Sequence, residues 1–196
     1  MNFIVVAVLA SILLAVFARG NEVEVKKPPF WKKAETARWL AHENVWGTLS
    51  TTSVHLNNQA WGQPKSFVDG STTNSTGVLY FYDSDMDVSM QDVAKNPVVT
   101  LSLSMAQINL CTVDKLDPED PRCARASFNG NFQEVTDAAE LQFAKDALFE
   151  RHPAMADWPE DHSWKVHKIV LNEIWLIDIY GGASIVDVND YYAVQL

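Results

Sequence analysis

NPVVTLSLSM, residues 96–105, alternates apolar and hydroxyl-bearing side chains one by one. Because successive residues of a strand point to opposite faces of a sheet, this alternation predicts a β-strand with one buried and one solvated face. The prediction places Val99, Leu101, Leu103 and Met105 inside and Thr100, Ser102 and Ser104 outside.

The rest of the chain carries further strand-like and helix-like patterns. Strands are predicted at 45–53, at 61–70 with its turn, at 78–82 and at 124–135, and two strand-like runs lie in 166–181. Helices are predicted at 30–44, 84–97 and 138–152, the last one capped by Thr136. About six strands and three helices predict a mostly β fold with peripheral helices (α+β), arranged as a closed or split β-barrel.

The two later helices each show an apolar face at helical spacing. In the helix predicted at 84–97 this face consists of Met86, Met90, Val93 and Ala94. In the helix predicted at 138–152 it consists of Leu141, Ala144, Leu148 and Phe149.

The N-terminal segment 1–20, MNFIVVAVLASILLAVFARG, is apolar from Phe3 to Ala18 except for Ser11. This run is shorter than the roughly 20 residues that a membrane-spanning helix needs. It is typical of a secretory signal peptide, with cleavage predicted after Gly20; an uncleaved anchor is the alternative. Residues 21–29 are predicted to be a flexible lead-in and 30–196 the folded domain, so the mature protein is expected to be secreted.

Composition limits the function further. Hydrophobic content of 47% and aromatic content of 11% are typical of a folded chain. The formal net charge is −10, and the sequence has no basic stripe. Direct nucleic-acid binding is not expected, because neutralising phosphates requires clustered lysine and arginine side chains.

Both cysteines of the chain bound the acidic loop CTVDKLDPEDPRC, residues 111–123. No CxxC motif and no zinc-like set of ligands accompanies them, which argues against redox catalysis and zinc binding. In an oxidising compartment, a disulfide between Cys111 and Cys123 is predicted. The sequon at Asn74, in the turn-rich stretch DGSTTNSTG, predicts an N-glycan.

Metal binding is not expected. His152, His162 and His167 have no HExxH-like spacing and are interpreted as surface or capping histidines. The acidic loop lacks the order of acids and the central glycine of a calcium loop.

One set of polar residues could bind a phosphate. Hydroxyl groups on neighbouring strands, together with a lysine, could hold the phosphate of a flavin nucleotide; the favoured interpretation of the same alternation is simply the wet side of a sheet. The candidate flavin-phosphate contacts are Ser50, Lys65, Ser66 and Ser102, and no catalytic residue is assigned.

Three segments carry a resemblance to a known family. They are NPVVTLSLSMAQINLC (96–111), LFERHPAMADWP (148–159) and IWLIDIYGG (174–182). The chain, over about residues 30–192, resembles the CREG family, the secreted cellular-repressor glycoproteins.

The resemblance implies an FMN-binding split β-barrel of the pyridoxamine-phosphate oxidase class that forms a homodimer. It implies a flavin pocket at the dimer interface that is obstructed, so that no cofactor is expected. It also implies a non-enzymatic glycoprotein of the secretory and endolysosomal route, linked to growth restraint and differentiation through a cell-surface or lysosomal sorting receptor. Loop 111–123 would then act as an acidic plug beside the flavin region.

The alternative is an FMN-dependent oxidoreductase that uses the same barrel. A bound flavin supplies redox chemistry itself, so the lack of a catalytic motif does not separate the two hypotheses. A cluster of arginine or lysine donors around the flavin phosphate would separate them, and the strand faces offer mainly hydroxyls and Lys65.

Overall fold

A computed structural model describes residues 26–196 of the chain. The predicted signal peptide 1–20 and residues 21–25 of the predicted lead-in lie outside the described residues. Within 26–196, no helix is both long and apolar enough to cross a membrane.

The described residues form eight strands and five α-helices. The strands are β1 Trp46–Ser53, β2 Gln59–Ser66, β3 Val68–Ser71, β4 Asn74–Ser84, β5 Val98–Ser104, β6 Arg125–Glu134, β7 Trp164–Ile177 and β8 Ser184–Val186. The α-helices are α1 Lys33–Glu43, α2 Val88–Val93, α3 Leu110–Val113, α4 Ala138–Arg151 and α5 Val188–Ala193. Short 3₁₀ turns cover Met105–Ile108, Pro153–Asp157 and Glu160–His162.

All strands join one antiparallel sheet in the order β2-β1-β5-β6-β7-β4-β3, and β8 pairs with β7. The sheet curls into a half-barrel with the helices at its periphery, which confirms the predicted mostly β fold. Its strand order puts β5 and β6 at the centre, so the alternating stretch 98–105 decides which side of the sheet becomes the core.

The inner side of the sheet is the hydrophobic core, as the alternation predicted. Val99, Leu101 and Leu103 on β5 are at most 2% exposed, and Phe128 on β6 is fully buried. Met105 is also buried, but it lies in the 3₁₀ turn that follows β5 rather than in the strand.

Two strand predictions differ from the structure. The two runs predicted in 166–181 are a single long strand, β7, with a register shift opposite Asn129 and Gly130. The segment predicted as one strand at 61–70 is two strands, β2 and β3, separated by the fully buried Phe67. The buried ring of Phe67 marks the point where the chain passes from β2, at one edge of the sheet, to β3, at the other edge.

Two helix predictions are corrected. Asp137, not Thr136, caps α4, because its carboxylate accepts hydrogen bonds from the backbone N–H groups of residues 139 and 140. The helix predicted at 84–97 spans only residues 88–93, since Asp87 caps it. Met86 therefore precedes the helix and is 67% exposed instead of buried.

Candidate functional site

The outer side of the sheet carries a hydroxyl-lined cavity. Cross-strand pairing sets Thr48 beside Ser102 and Ser50 beside Thr100. A cavity of about 380 Å³ opens over β1, β5, β6 and β7. We call it the outer cavity; its lining includes Trp46, Thr48, Ser102, Ser104, Arg125 and Trp175.

Arg125 is the one lysine or arginine in the lining of the outer cavity. Its Nη1 donates to the backbone carbonyl oxygens of Glu119 at 3.2 Å and Asp120 at 3.5 Å. One nitrogen of the guanidinium is thereby directed at the backbone of the acidic loop.

Lys65 lies on the opposite side of the sheet from the outer cavity. It pairs with Gly47, which faces the side chains of Leu101 and Leu103 in the core. Its ammonium lies 2.5 Å from an oxygen of Asp83 and 2.9 Å from an oxygen of Asp87. Burial opposes the charged form, but the two carboxylates outweigh it and raise the pKa of Lys65 above its ordinary value.

The structure therefore separates the four candidate flavin contacts. Ser102 lines the outer cavity, and Ser50 lies further along β1 on the same side of the sheet. Ser66 ends β2 opposite Trp46 and lines a second cavity together with Lys65. Lys65 faces inward and is paired with two carboxylates, so it does not join Ser50 and Ser102 as a phosphate donor.

The acidic loop 111–123 is folded. Cys111 and Cys123 are buried with their sulfur atoms 1.97 Å apart and Cα atoms 5.5 Å apart, the arrangement of a disulfide. Asp120 accepts hydrogen bonds from the side chains of Arg122 at 2.7 Å and Tyr180 at 3.3 Å, and Arg122 holds the pKa of Asp120 well below its usual range.

The acidic loop lies beside the outer cavity without lining it. Its N-terminal end follows the 3₁₀ turn after β5, and its C-terminal end leads into β6. The Ser104 hydroxyl, which lines the cavity, is 3.9 Å from the sulfur of Cys123. Among the described residues that line the outer cavity, none belongs to 111–123.

The sequon lies on the surface. Asn74 is exposed at the start of β4, and the sequon threonine Thr76 donates its hydroxyl hydrogen to the carbonyl of Asp69 at 2.8 Å. The placement leaves the Asn74 side chain free to carry the predicted glycan.

The histidines only partly match their interpretation. His152 ends α4, as expected of a capping residue, and lies 3.1 Å from the carbonyl of Phe67. His167, in contrast, is buried and stacks on Phe132 with ring centroids 5.0 Å apart. β7 extends through residue 167, and the side chain of His167 points to the inner side of the sheet. Within 26–196, no group of three or more side chains could hold a metal ion.

A second cavity, which was not predicted, lies at the C-terminal ends of β2 and β4. It has a volume of about 440 Å³. We call it the aromatic cavity; its lining includes Lys65, Tyr82, Asp83, Asp87, Trp158 and Trp164. Its aromatic residues come from segments about 80 positions apart, so no local sequence pattern could join them.

The fold defines the class as the split β-barrel. A heme-binding protein from Mycobacterium smegmatis superimposes with a TM-score of 0.65 and 17% identity, over 86% of this chain and 62% of the other. General Stress Protein 26 from Bacillus anthracis superimposes with a TM-score of 0.54 and 16% identity, over 82% and 100%. At these identities, the likeness concerns the fold.

Within that class, the chain belongs to the CREG family: the model of the CREG β-barrel matches residues 28–193. Protein CREG1 of Gallus gallus is 37% identical over 98% of this chain and 99% of its own length. Protein CREG2 of Homo sapiens is 40% identical over 88% of this chain, which spans 60% of that relative's length. The resemblance seen in the sequence is confirmed. Neither relative's name states a reaction.

Proposed function

We propose that this chain is a non-enzymatic binding glycoprotein of the CREG type. It works outside the cell or in the endolysosomal lumen and restrains growth and promotes differentiation by engaging a cell-surface or lysosomal sorting receptor. The observation that carries the non-enzymatic part is the pairing of Lys65, the lysine among the candidate flavin contacts, with Asp83 and Asp87.

A flavin nucleotide needs donors for its phosphate. Charge-assisted hydrogen bonds from arginine or lysine are the strong contacts to phosphate. The outer cavity offers hydroxyls and a single guanidinium, that of Arg125. One cation is fewer than the cluster of arginine or lysine donors that would indicate an FMN phosphate site, and no catalytic step through a flavin is assigned to the chain.

The homodimer is proposed to form through the outer side of the sheet. Large apolar side chains frame the hydroxyl-lined surface: Trp46 is 42% exposed, Val98 56% and Ile185 62%. Large apolar side chains exposed together on one face are typical of protein interfaces. A second copy seated there would cover the outer cavity, and the carboxylates of loop 111–123 beside it would repel the phosphate of FMN.

Titration with FMN tests the non-enzymatic proposal. Oxidised, glycosylated protein is added to FMN, and flavin fluorescence is followed against riboflavin, which lacks the phosphate. We expect no saturable binding of either compound at micromolar concentration. Saturable FMN binding that exceeds riboflavin binding would instead support the oxidoreductase that uses the same barrel.

Secretion and glycosylation have their own test. The full chain expressed in secretory cells should appear in the medium with Asn21 as its first residue. An Asn74→Gln variant should migrate as the deglycosylated form and lose receptor-dependent uptake by cells. Retention of the N-terminal segment, or an unchanged mass in Asn74→Gln, would contradict this part of the proposal.

A further inference from the structure

The aromatic cavity has a wall of three rings packed against one another. The ring of Tyr82 is tilted by 20° from Trp164 and by 19° from Trp158, with centroids 5.2 and 6.1 Å away. The two indoles lie 4.6 Å apart and are tilted by 36° from each other. All three side chains are partly exposed and line the cavity, so the wall presents aromatic surface to a flat ligand.

The floor of the aromatic cavity is polar and carries excess negative charge. The ammonium of Lys65 faces the carboxylates of Asp83 and Asp87, so two acids against one base leave one net negative charge. Asp83 is 4% exposed, and its Oδ2 has no hydrogen-bond partner among the described residues. A buried acceptor without a donor is costly, which favours a ligand that brings N–H groups to this end of the cavity.

The rim adds more acids than bases. Asp85, Asp157 and Asp161 directly adjoin lining residues in the chain; Asp85 is 57% exposed and Asp161 is 86% exposed. Two basic residues lie beside them: Lys165, which pairs with Asp85 at 3.1 Å, and His162, which lines the cavity 3.7 Å from Asp161. The surroundings therefore repel anions such as phosphates and attract cations.

We propose that the aromatic cavity binds a guanidinium group. A guanidinium is planar and cationic, stacks on aromatic faces and presents several N–H donors to carboxylates. An ammonium fits less well, because Lys65 already occupies the point between the two carboxylates. The group comes from a small guanidine compound or from an arginine side chain of a peptide. The site lies apart from the outer cavity, and its lining includes Lys65 and Ser66, two of the four candidate flavin contacts.

The test compares ligands on the intact, oxidised protein. Agmatine, a tripeptide with a central arginine, putrescine and a neutral methyl glucoside are titrated, and tryptophan fluorescence and calorimetry report binding. Agmatine or the arginine peptide should bind at least about tenfold more tightly than putrescine, and binding should weaken with salt. The tighter of the two guanidinium ligands identifies the source, and either order supports the proposal.

Variants locate the binding. Trp158→Leu removes part of the aromatic wall, and Asp87→Asn removes a carboxylate while keeping a residue type that caps α2. Each should weaken agmatine binding by about tenfold. Trp31→Leu is the matched control, since Trp31 is 67% exposed and packs on Phe30 away from the cavity.

Several outcomes would overturn the proposal. They are no guanidinium binding up to about 10 mM, equal binding of putrescine or the glucoside, or unchanged binding in Asp87→Asn. If Trp158→Leu fails to fold, the ligand comparison on the unaltered protein and Asp87→Asn still decide the question.

Discussion

At the scale of single residues, the ion pair of Lys65 decides what the barrel can bind. The side chain of Lys65 is 10% exposed and that of Asp83 is 4% exposed. Placed on the inner side of the sheet, this lysine serves two aspartates instead of a phosphate. Its position in the sequence, next to a serine and among strand residues, gave no sign of which side of β2 it faces; the register with Gly47 determines that.

Removing this lysine should destabilise the fold. Lys65→Met leaves Asp83 buried without its cation, and breaking a buried pair on one side costs about 3–5 kcal/mol. Urea unfolding should show this loss, and the double variant Lys65→Met/Asp83→Leu should recover most of it. A Lys65→Met variant with wild-type stability would contradict the buried ion pair.

Stability should depend on pH through the buried histidines. Burial lowers the pKa of His152 and His167 below their ordinary value of 6.5. As the pH falls below about 6.5, the unfolded chain takes up protons that the folded histidines resist, so the free energy of unfolding falls. The contribution is fully present above that pH.

His167→Phe tests this dependence. The Nδ1 of His167 is buried without a hydrogen-bond partner among the described residues, and its ring already stacks on Phe132. The variant should be at least as stable as the unaltered chain at pH 7 and lose less stability on going to pH 5. An unchanged slope of stability against pH in urea unfolding would contradict this account.

At the scale of elements, the bend in the paired strands β6 and β7 depends on Gly130. A methyl group added at Gly130 would overlap the backbone carbonyl of Val170, at the register shift between the two strands. Gly130→Ala should therefore cost about 1–3 kcal/mol or more, as expected of an overpacked site that backbone must relieve.

Gly62→Ala on β2 is the matched control for this element. Its added methyl group would meet the tip of the Thr48 side chain at 3.3 Å, which a side chain can relieve. Thermal unfolding should lower the Tm of Gly130→Ala well below that of Gly62→Ala. Equal Tm values would show that the closeness of residue 130 to the Val170 carbonyl does not limit the size of the side chain there.

The elements also show what a sequence can and cannot predict. The alternation in 96–105 predicted the buried side of β5, because side-chain direction in a strand is set locally. The aromatic cavity could not be predicted, because Tyr82 and Trp158 meet only through the pairing of β4 with β7 and the turns before β7. The continuous strand β7 was missed for the same reason: its bulge is visible only against β6.

At the scale of the whole molecule, the outer side of the sheet is proposed to join two copies. Val98→Glu puts a charge into an exposed apolar position of that surface and should shift the protein from dimer to monomer in light scattering. Val113→Glu is the matched control, since Val113 is 71% exposed in the acidic loop. A dimer that survives Val98→Glu would place the interface elsewhere.

Central to the proposed function is a split barrel in which Lys65, the lysine among the candidate flavin contacts, is already paired with two aspartates. The most direct measurement is the visible absorbance spectrum of the protein purified under native, non-reducing conditions from secretory cells. The account predicts a colourless protein without flavin bands. A yellow protein with flavin absorbance in proportion to the chain would contradict it and establish a flavin-binding member of the class.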